Sequence, residues 1–221
     1  METTGFLCPR FKSLVLIISV LFMGNMVFAQ VTEPACAGQI YSNPANGGEV
    51  AWLNASAARC DDNSSRAYVD LFVGENKSQF LHFTDFALGV PANARITGLE
   101  VVVIRKSDRS DVVVDRSIQL VLNGRLLGEN QSQEDRWEDV WTGAFFGGKD
   151  NRWGYPLTPA VVNDPGFGVV VDVACSGSAR AEIDEVLISV HYRYTNQPQM
   201  HQTAILNYHS CTPVVPAALG M

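Results

Sequence analysis

The chain has 221 residues, a formal net charge of −7, 47% hydrophobic and 18% charged residues. It is too apolar for a disordered segment and long enough for one domain with a sizeable core. An acidic chain without Lys/Arg clusters repels phosphate backbones, which excludes nucleic acid as a partner.

Residues 1–29 read as a signal peptide. Arg10 and Lys12 precede the apolar run Leu14 to Met23, and Val27-Phe28-Ala29 supplies the small residues of a cleavage site after Ala29. The run is too short to span a bilayer comfortably and no second one follows, so no membrane span is expected after cleavage. The expected location is secreted, extracellular or at the cell surface, with the periplasm as the alternative. Cys36, Cys60, Cys175 and Cys211 remain after cleavage, an even number that suggests two disulfides. Cys36 with Cys60 and Cys175 with Cys211 closes two loops, and Cys60 with Cys175 competes. Residues 30–50 are read as an N-terminal extension ahead of a domain over 51–194.

Within that domain the first core strand is expected over Arg66 to Val73, with Val69, Leu71 and Val73 inward, and the second over Gln79 to Leu88. Leu99, Val101 and Val103 alternate with Glu100, Val102 and Ile104 in a third strand. Ile118, Leu120 and Leu122 form a fourth, and Asn123-Gly124 after it is the strongest hairpin signal in the chain. Glu129 to Gly166 is irregular and rich in aromatics, with one helical turn near Thr158 to Asn163. Phe167, Val169, Val171 and Val173, then Val186, Ile188, Val190, Tyr192 and Tyr194, read as the two arms of a closing hairpin. Residues 195–221 lose the alternation and read as an irregular tail. Strands with one apolar face must cover it with a second layer, so the expectation is all-β, a jelly-roll-like β-sandwich of two antiparallel sheets.

No G-x-S-x-G elbow, HExxH pair or phosphate-cradling glycine loop occurs, and His82 and His191 fall inside strands. An enzyme is therefore not expected, and no cofactor is required.

With the strands placed, five stretches in order carry a family likeness: VPANARITGLEVVVIRK, DRSIQLVLNGRLLGEN, FFGGKDNRWG, LTPAVVNDPGFGVVVDV and AEIDEVLISVHY. Together with Asp61-Asp62-Asn63 and Ala67-Tyr68 they resemble a module recurrent in bacterial secreted and surface proteins and in phage-tail proteins, over Trp52 to Tyr192. The resemblance implies a jelly-roll sandwich of the galactose-binding-like type and brings no shared catalytic residues. Arg152 stands where the family has Leu, and Tyr155-Pro156-Leu157 replaces its second Trp region.

Two groups of residues are candidate sites. Trp137, Trp141 and Tyr155 can offer flat apolar rings to the CH faces of sugars, with Arg136, Asp139 and Asn151 hydrogen-bonding hydroxyls. Asp61, Asp62 and Asn63, with Glu182 and Asp184, can supply oxygen ligands to a structural calcium ion. The function expected is a secreted, non-catalytic binding or adhesion module for glycan or another cell-surface component. The alternative is a structural or accessory subunit of an extracellular assembly, with self-association through exposed sheet edges or the tail.

Overall fold

Alternating apolar and polar residues become strand through most of the described chain, which in this computed structural model is residues 29–60, 65–133 and 135–194. The strands are β1 (Gln30–Val31), β2 (Ala35–Cys36), β3 (Gln39–Gly47), β4 (Ala67–Leu71), β5 (Gln79–Thr84), β6 (Ala94–Ser107), β7 (Val113–Leu122), β8 (Arg125–Leu127), β9 (Thr142–Gly148), β10 (Phe167–Cys175) and β11 (Ala179–Tyr194). One sheet runs β3-β5-β10-β7-β8. The other runs β1-β11-β6-β9, with β2 and β4 also bonded to β11. All named pairings are antiparallel. The expected two-sheet, jelly-roll-like sandwich is the architecture observed.

Each inner face is a continuous apolar surface. Leu99, Val101 and Val103 of β6 and Val186, Ile188 and Val190 of β11 meet Val169, Val171 and Val173 of β10 and Ile118 and Leu120 of β7, all buried in one cluster. Burying one such side chain contributes roughly 1.5–3 kcal/mol, so these rows dominate the stability of the fold. The inner row of β11 changes phase once: Ala179, Ala181 and Ile183 give way to Val186, Ile188 and Val190 across a bulge between Ile183 and Glu185. One extra residue there re-aims the second half of the strand at the core.

Several expectations are corrected. β10 and β11 are not a hairpin: β10 bonds β5 and β7, β11 bonds β6, and Ser176 to Ser178 carries the chain from one sheet to the other. Both arms keep the predicted alternation, because facing rows and neighbouring rows need the same period. Residues 30–47 are not an extension, since β1 and β2 bond β11 and β3 bonds β5. Val73 lies beyond the end of β4 and is 84% exposed. The segment read as irregular contains β9, paired along its length with β6.

Local signals placed other features correctly. Asn123 (φ 50°) and Gly124 (φ 80°) join β7 to β8, and a two-residue turn with both φ values positive matches the right-handed twist of the flanking strands. The single turn of helix α1 (Pro159–Val162) starts at Thr158, whose side chain accepts from the Val161 N–H, with proline in the first turn. Cys36 and Cys60 form a disulfide. Cys175 is buried with no disulfide partner among the described residues, which removes the Cys60–Cys175 pairing. Cys211, the signal peptide and the tail lie outside the described residues.

Gly147 has φ 80°, and a side chain there would run into the Leu99 carbonyl and the Trp153 indole. Gly147→Ala combines an unfavourable backbone with a steric clash and is expected to cost about 3 kcal/mol or more. Urea unfolding should show a lowered midpoint at unchanged slope, and an unaltered midpoint would count against this packing.

Candidate functional site

The outer face of the five-stranded sheet is built from the residues left over when the inner rows are filled. In β3, Ile40 and Ser42 face inward opposite Phe83 and Leu81. Tyr41 and Asn43 therefore stand outside, paired with His82 and Phe80. The register continues this outer row from His82 to Val170 and on to Gln119. Phe80, Val121 and Val170 form a small apolar cluster separate from the main core, and they floor this face.

Tyr41 is the prominent side chain on it. Its ring lies parallel to the His82 imidazole, with centroids 4.8 Å apart and planes 14° apart. His82 is fully buried while Tyr41 is 40% exposed, so one face of the tyrosine ring rests on the sheet and the other is turned to solvent. Both imidazole nitrogens are engaged: Nδ1 lies 3.4 Å from the Tyr41 hydroxyl and Nε2 lies 3.3 Å from Asn43 Nδ2. An amide nitrogen can only donate, so Nε2 accepts and the ring proton sits on Nδ1. Burial holds the His82 pKa below its ordinary value, keeping the ring neutral.

Beside Tyr41 runs a groove of about 270 Å³ lined by Gln39, Thr84, Asn123, Gly124, Pro165 and Gly166. The side chains of Gln39, Thr84 and Asn123 make no hydrogen bond within the described residues. An exposed ring face thus adjoins two amides and a hydroxyl with unused hydrogen-bonding capacity. The sequence alone does not reveal this site, because residues 30–50 read as an extension outside the domain. The signal was there in the Ile40/Ser42 against Tyr41/Asn43 alternation, but Pro44 and the glycines after it masked the strand.

The residues singled out from sequence are not one surface. Trp137 is fully buried, its Nε1 donating to Asp115 Oδ1 at 3.0 Å with the Arg105 guanidinium over its ring, so it cannot stack on a ligand. Trp141 is 37% exposed on the outside of the other sheet, with Arg66 at 4.7 Å and Lys106 at 5.8 Å from its ring centre. Tyr155 and Asn151 line a different groove of about 620 Å³ with Asp150, Arg152, Gly154 and Pro156. Asn151 is committed structurally, accepting from the Trp153 N–H and donating to Gln131. Arg136 donates to the Asp111 carbonyl, and Asp139 is exposed. Of the proposed calcium ligands, Glu182 lies 3.9 Å from Lys106 and Asp184 lies 3.7 Å from Arg66. Asp61, Asp62 and Asn63 lie outside the described residues.

No family model and no curated protein matches the chain. Among solved structures it is similar to the CBM22-1 xylan-binding domain from Paenibacillus barcinonensis Xyn10C, at 11% identity and a TM-score of 0.38, over 73% of this chain and 95% of that one. It is also similar to the N-terminal cellulose-binding domain from Cellulomonas fimi β-1,4-glucanase C, at 12% identity and a TM-score of 0.31, over 74% of this chain and 99% of that one. These are likenesses in the arrangement of strands.

One buried carboxylate on the outer face of the five-stranded sheet titrates unusually. Asp172 is fully buried, accepts from Ser78 Oγ at 3.2 Å and from Arg116 Nε at 2.7 Å, and burial outweighs both, pushing its pKa from 3.8 up to about 6. The folded state therefore holds this proton more tightly than the unfolded state, and stability is lost as pH rises from about 4 to 6. Asp172→Asn mimics the protonated form. Its stability relative to wild type should grow over that window to at most about 3 kcal/mol and then level off. Denaturant unfolding at pH 4 to 7 checks this, and a pH-independent difference would contradict it.

Proposed function

We propose that this domain is a non-catalytic glycan-binding module acting outside the cell, with its binding face on the five-stranded sheet around Tyr41. The observation that carries the reading is the Tyr41 ring laid flat on buried His82, its free face beside the uncommitted Gln39, Thr84 and Asn123. A pyranose ring offers an apolar CH face to stack on an aromatic ring and a rim of hydroxyls that both donate and accept, and this arrangement answers both needs. Phe80, Val121 and Val170 fix the floor, so the platform is pre-organised.

A binding role fits the chemistry of the face better than a catalytic one. The two buried titratable groups there, His82 and Asp172, are already hydrogen-bonded, so neither meets a substrate atom in position to exchange a proton. Export is supported by the cationic and apolar opening of the sequence and by the Cys36–Cys60 disulfide, a bond that persists in oxidising surroundings.

Tyr41→Ala should weaken retention on a polysaccharide panel at least tenfold, while Tyr41→Phe, which keeps the ring, stays within a few-fold of wild type. Affinity electrophoresis of folded variants measures this. If Trp141→Ala abolishes retention and Tyr41→Ala does not, the binding face lies on the other sheet. If wild type binds no glycan on a broad panel, the reading fails.

A further inference from the structure

We propose that two copies of this chain associate edge to edge through β9, antiparallel and centred on Ala144, joining their six-stranded sheets into one. β9 is the end of its sheet, bonded to β6 on one side only. Leu99 of β6 donates its N–H to the Asn151 carbonyl and accepts at its carbonyl from Trp153 Nε1, both partners lying just past the end of β9. The odd-numbered residues of β6 thus direct their backbone groups toward β9, and Thr142, Ala144 and Phe146 opposite Arg105, Val103 and Val101 are the ones that bond them. Gly143 and Phe145 point their N–H and C=O groups the other way, and these have no partner among the described residues.

An open edge of this length is ordinarily protected against pairing by charge, proline or brevity. The other sheet edges have such protection: β3 contains Pro44 and a register shift, β8 is three residues long with Arg125, β1 and β2 have two residues each, and β4 carries Asp70 and exchanges hydrogen bonds with Leu53 on its free side. The β9 sequence TGAFFGG has no charge and no proline, and Phe145 on it is 65% exposed. A groove of about 730 Å³ runs beside this edge, between Thr142 to Phe146 and the segment holding Asp135, Arg136 and Glu138.

The sequence around β9 is complementary to itself in one register. Pairing about Ala144 sets Phe145 opposite Gly143 of the second copy and Trp141 opposite Gly147, so every large outward ring meets a residue without a side chain. Gly143 and Phe145 then exchange the hydrogen bonds that their free backbone groups lack. The same register brings Asp139, in the bend before β9, to the end of the seam where Lys149 follows β9 of the second copy. Asp139 meets no cation within the described residues, and Lys149 pairs only with its neighbour Asp150 on the surface. A second copy is therefore the occupant whose shape and charge this edge fits.

Sedimentation of the full mature chain over 1–200 µM should show a monomer–dimer equilibrium. Phe145→Lys, which places a charge on the outer face and leaves the β6 hydrogen bonds intact, should weaken it at least tenfold with an unchanged circular dichroism spectrum. Asp139→Lys and Lys149→Asp should each weaken it, more at low salt, and the double exchange should restore it. Ala144→Cys should form a disulfide-linked dimer in air, because the two side chains meet at the dyad. A monomer at all concentrations, or a dimer indifferent to Phe145→Lys, overturns the proposal. Failure of the double exchange to restore association overturns the register. These readouts need no glycan, so they succeed or fail separately from the binding function.

Discussion

Two apolar faces that must cover each other organise this protein. The inner rows of β6 and β11 have nowhere to go except onto those of β7 and β10, and the chain crosses between sheets at Ser176 to Ser178 to bring them together. One end of that contact is polar. Arg105 of β6 and Asp115 of β7 form an ion pair inside the sandwich, with Trp137 Nε1 on the second carboxylate oxygen. Burial raises the Asp115 pKa against the pull of Arg105. Such a pair adds little net stability, but losing either partner would strand a charge in the interior at a cost of about 3–5 kcal/mol. It therefore ties the two sheets together at a fixed place, where a purely apolar contact could slide.

What the sequence made legible was whatever depends on period. The inner rows of β6, β7 and β10 alternate cleanly and are legible from that period, although β7 starts four residues earlier than expected, at Val113, and β5 stops at Thr84 rather than Leu88; Asn123-Gly124 identifies its turn because few residue pairs accept two positive φ values. What was not legible depends on partners. β10 and β11 look alike whether they are neighbours or face each other, so the hairpin reading and the cross-sheet connection share one pattern. β9 is hidden because its outward positions are Gly143, Phe145 and Gly147, a mixture that reads as loop until β6 is seen beside it.

The candidate site suffered from the same limit. Abundance of aromatics drew attention to Trp137, Trp141 and Tyr155, yet indole and phenol rings are also good core material, and Trp137 and Trp153 were used that way. Tyr41 stands alone in sequence and becomes a platform only through His82, a residue 41 positions away. A binding surface on a sheet is assembled from register, and register is the quantity that a single strand does not carry. The two faces of the molecule then divide the work: the five-stranded sheet offers a rigid ring and unused amides, the six-stranded sheet an unguarded backbone.

The disulfide bears on how this ligand face is completed. Cys36 and Cys60, separated by 24 residues, enclose the whole of β3 and with it Tyr41. Closing a loop of that size stabilises the fold by about 3 kcal/mol, chiefly by restricting the unfolded chain. β3 has one strand neighbour, β5, and lies at the edge of its sheet. A copy still in a reducing compartment would have its sandwich but an insecurely seated tyrosine. Oxidation then acts as a maturation step for the Tyr41 face, completed only in surroundings where thiols are spent.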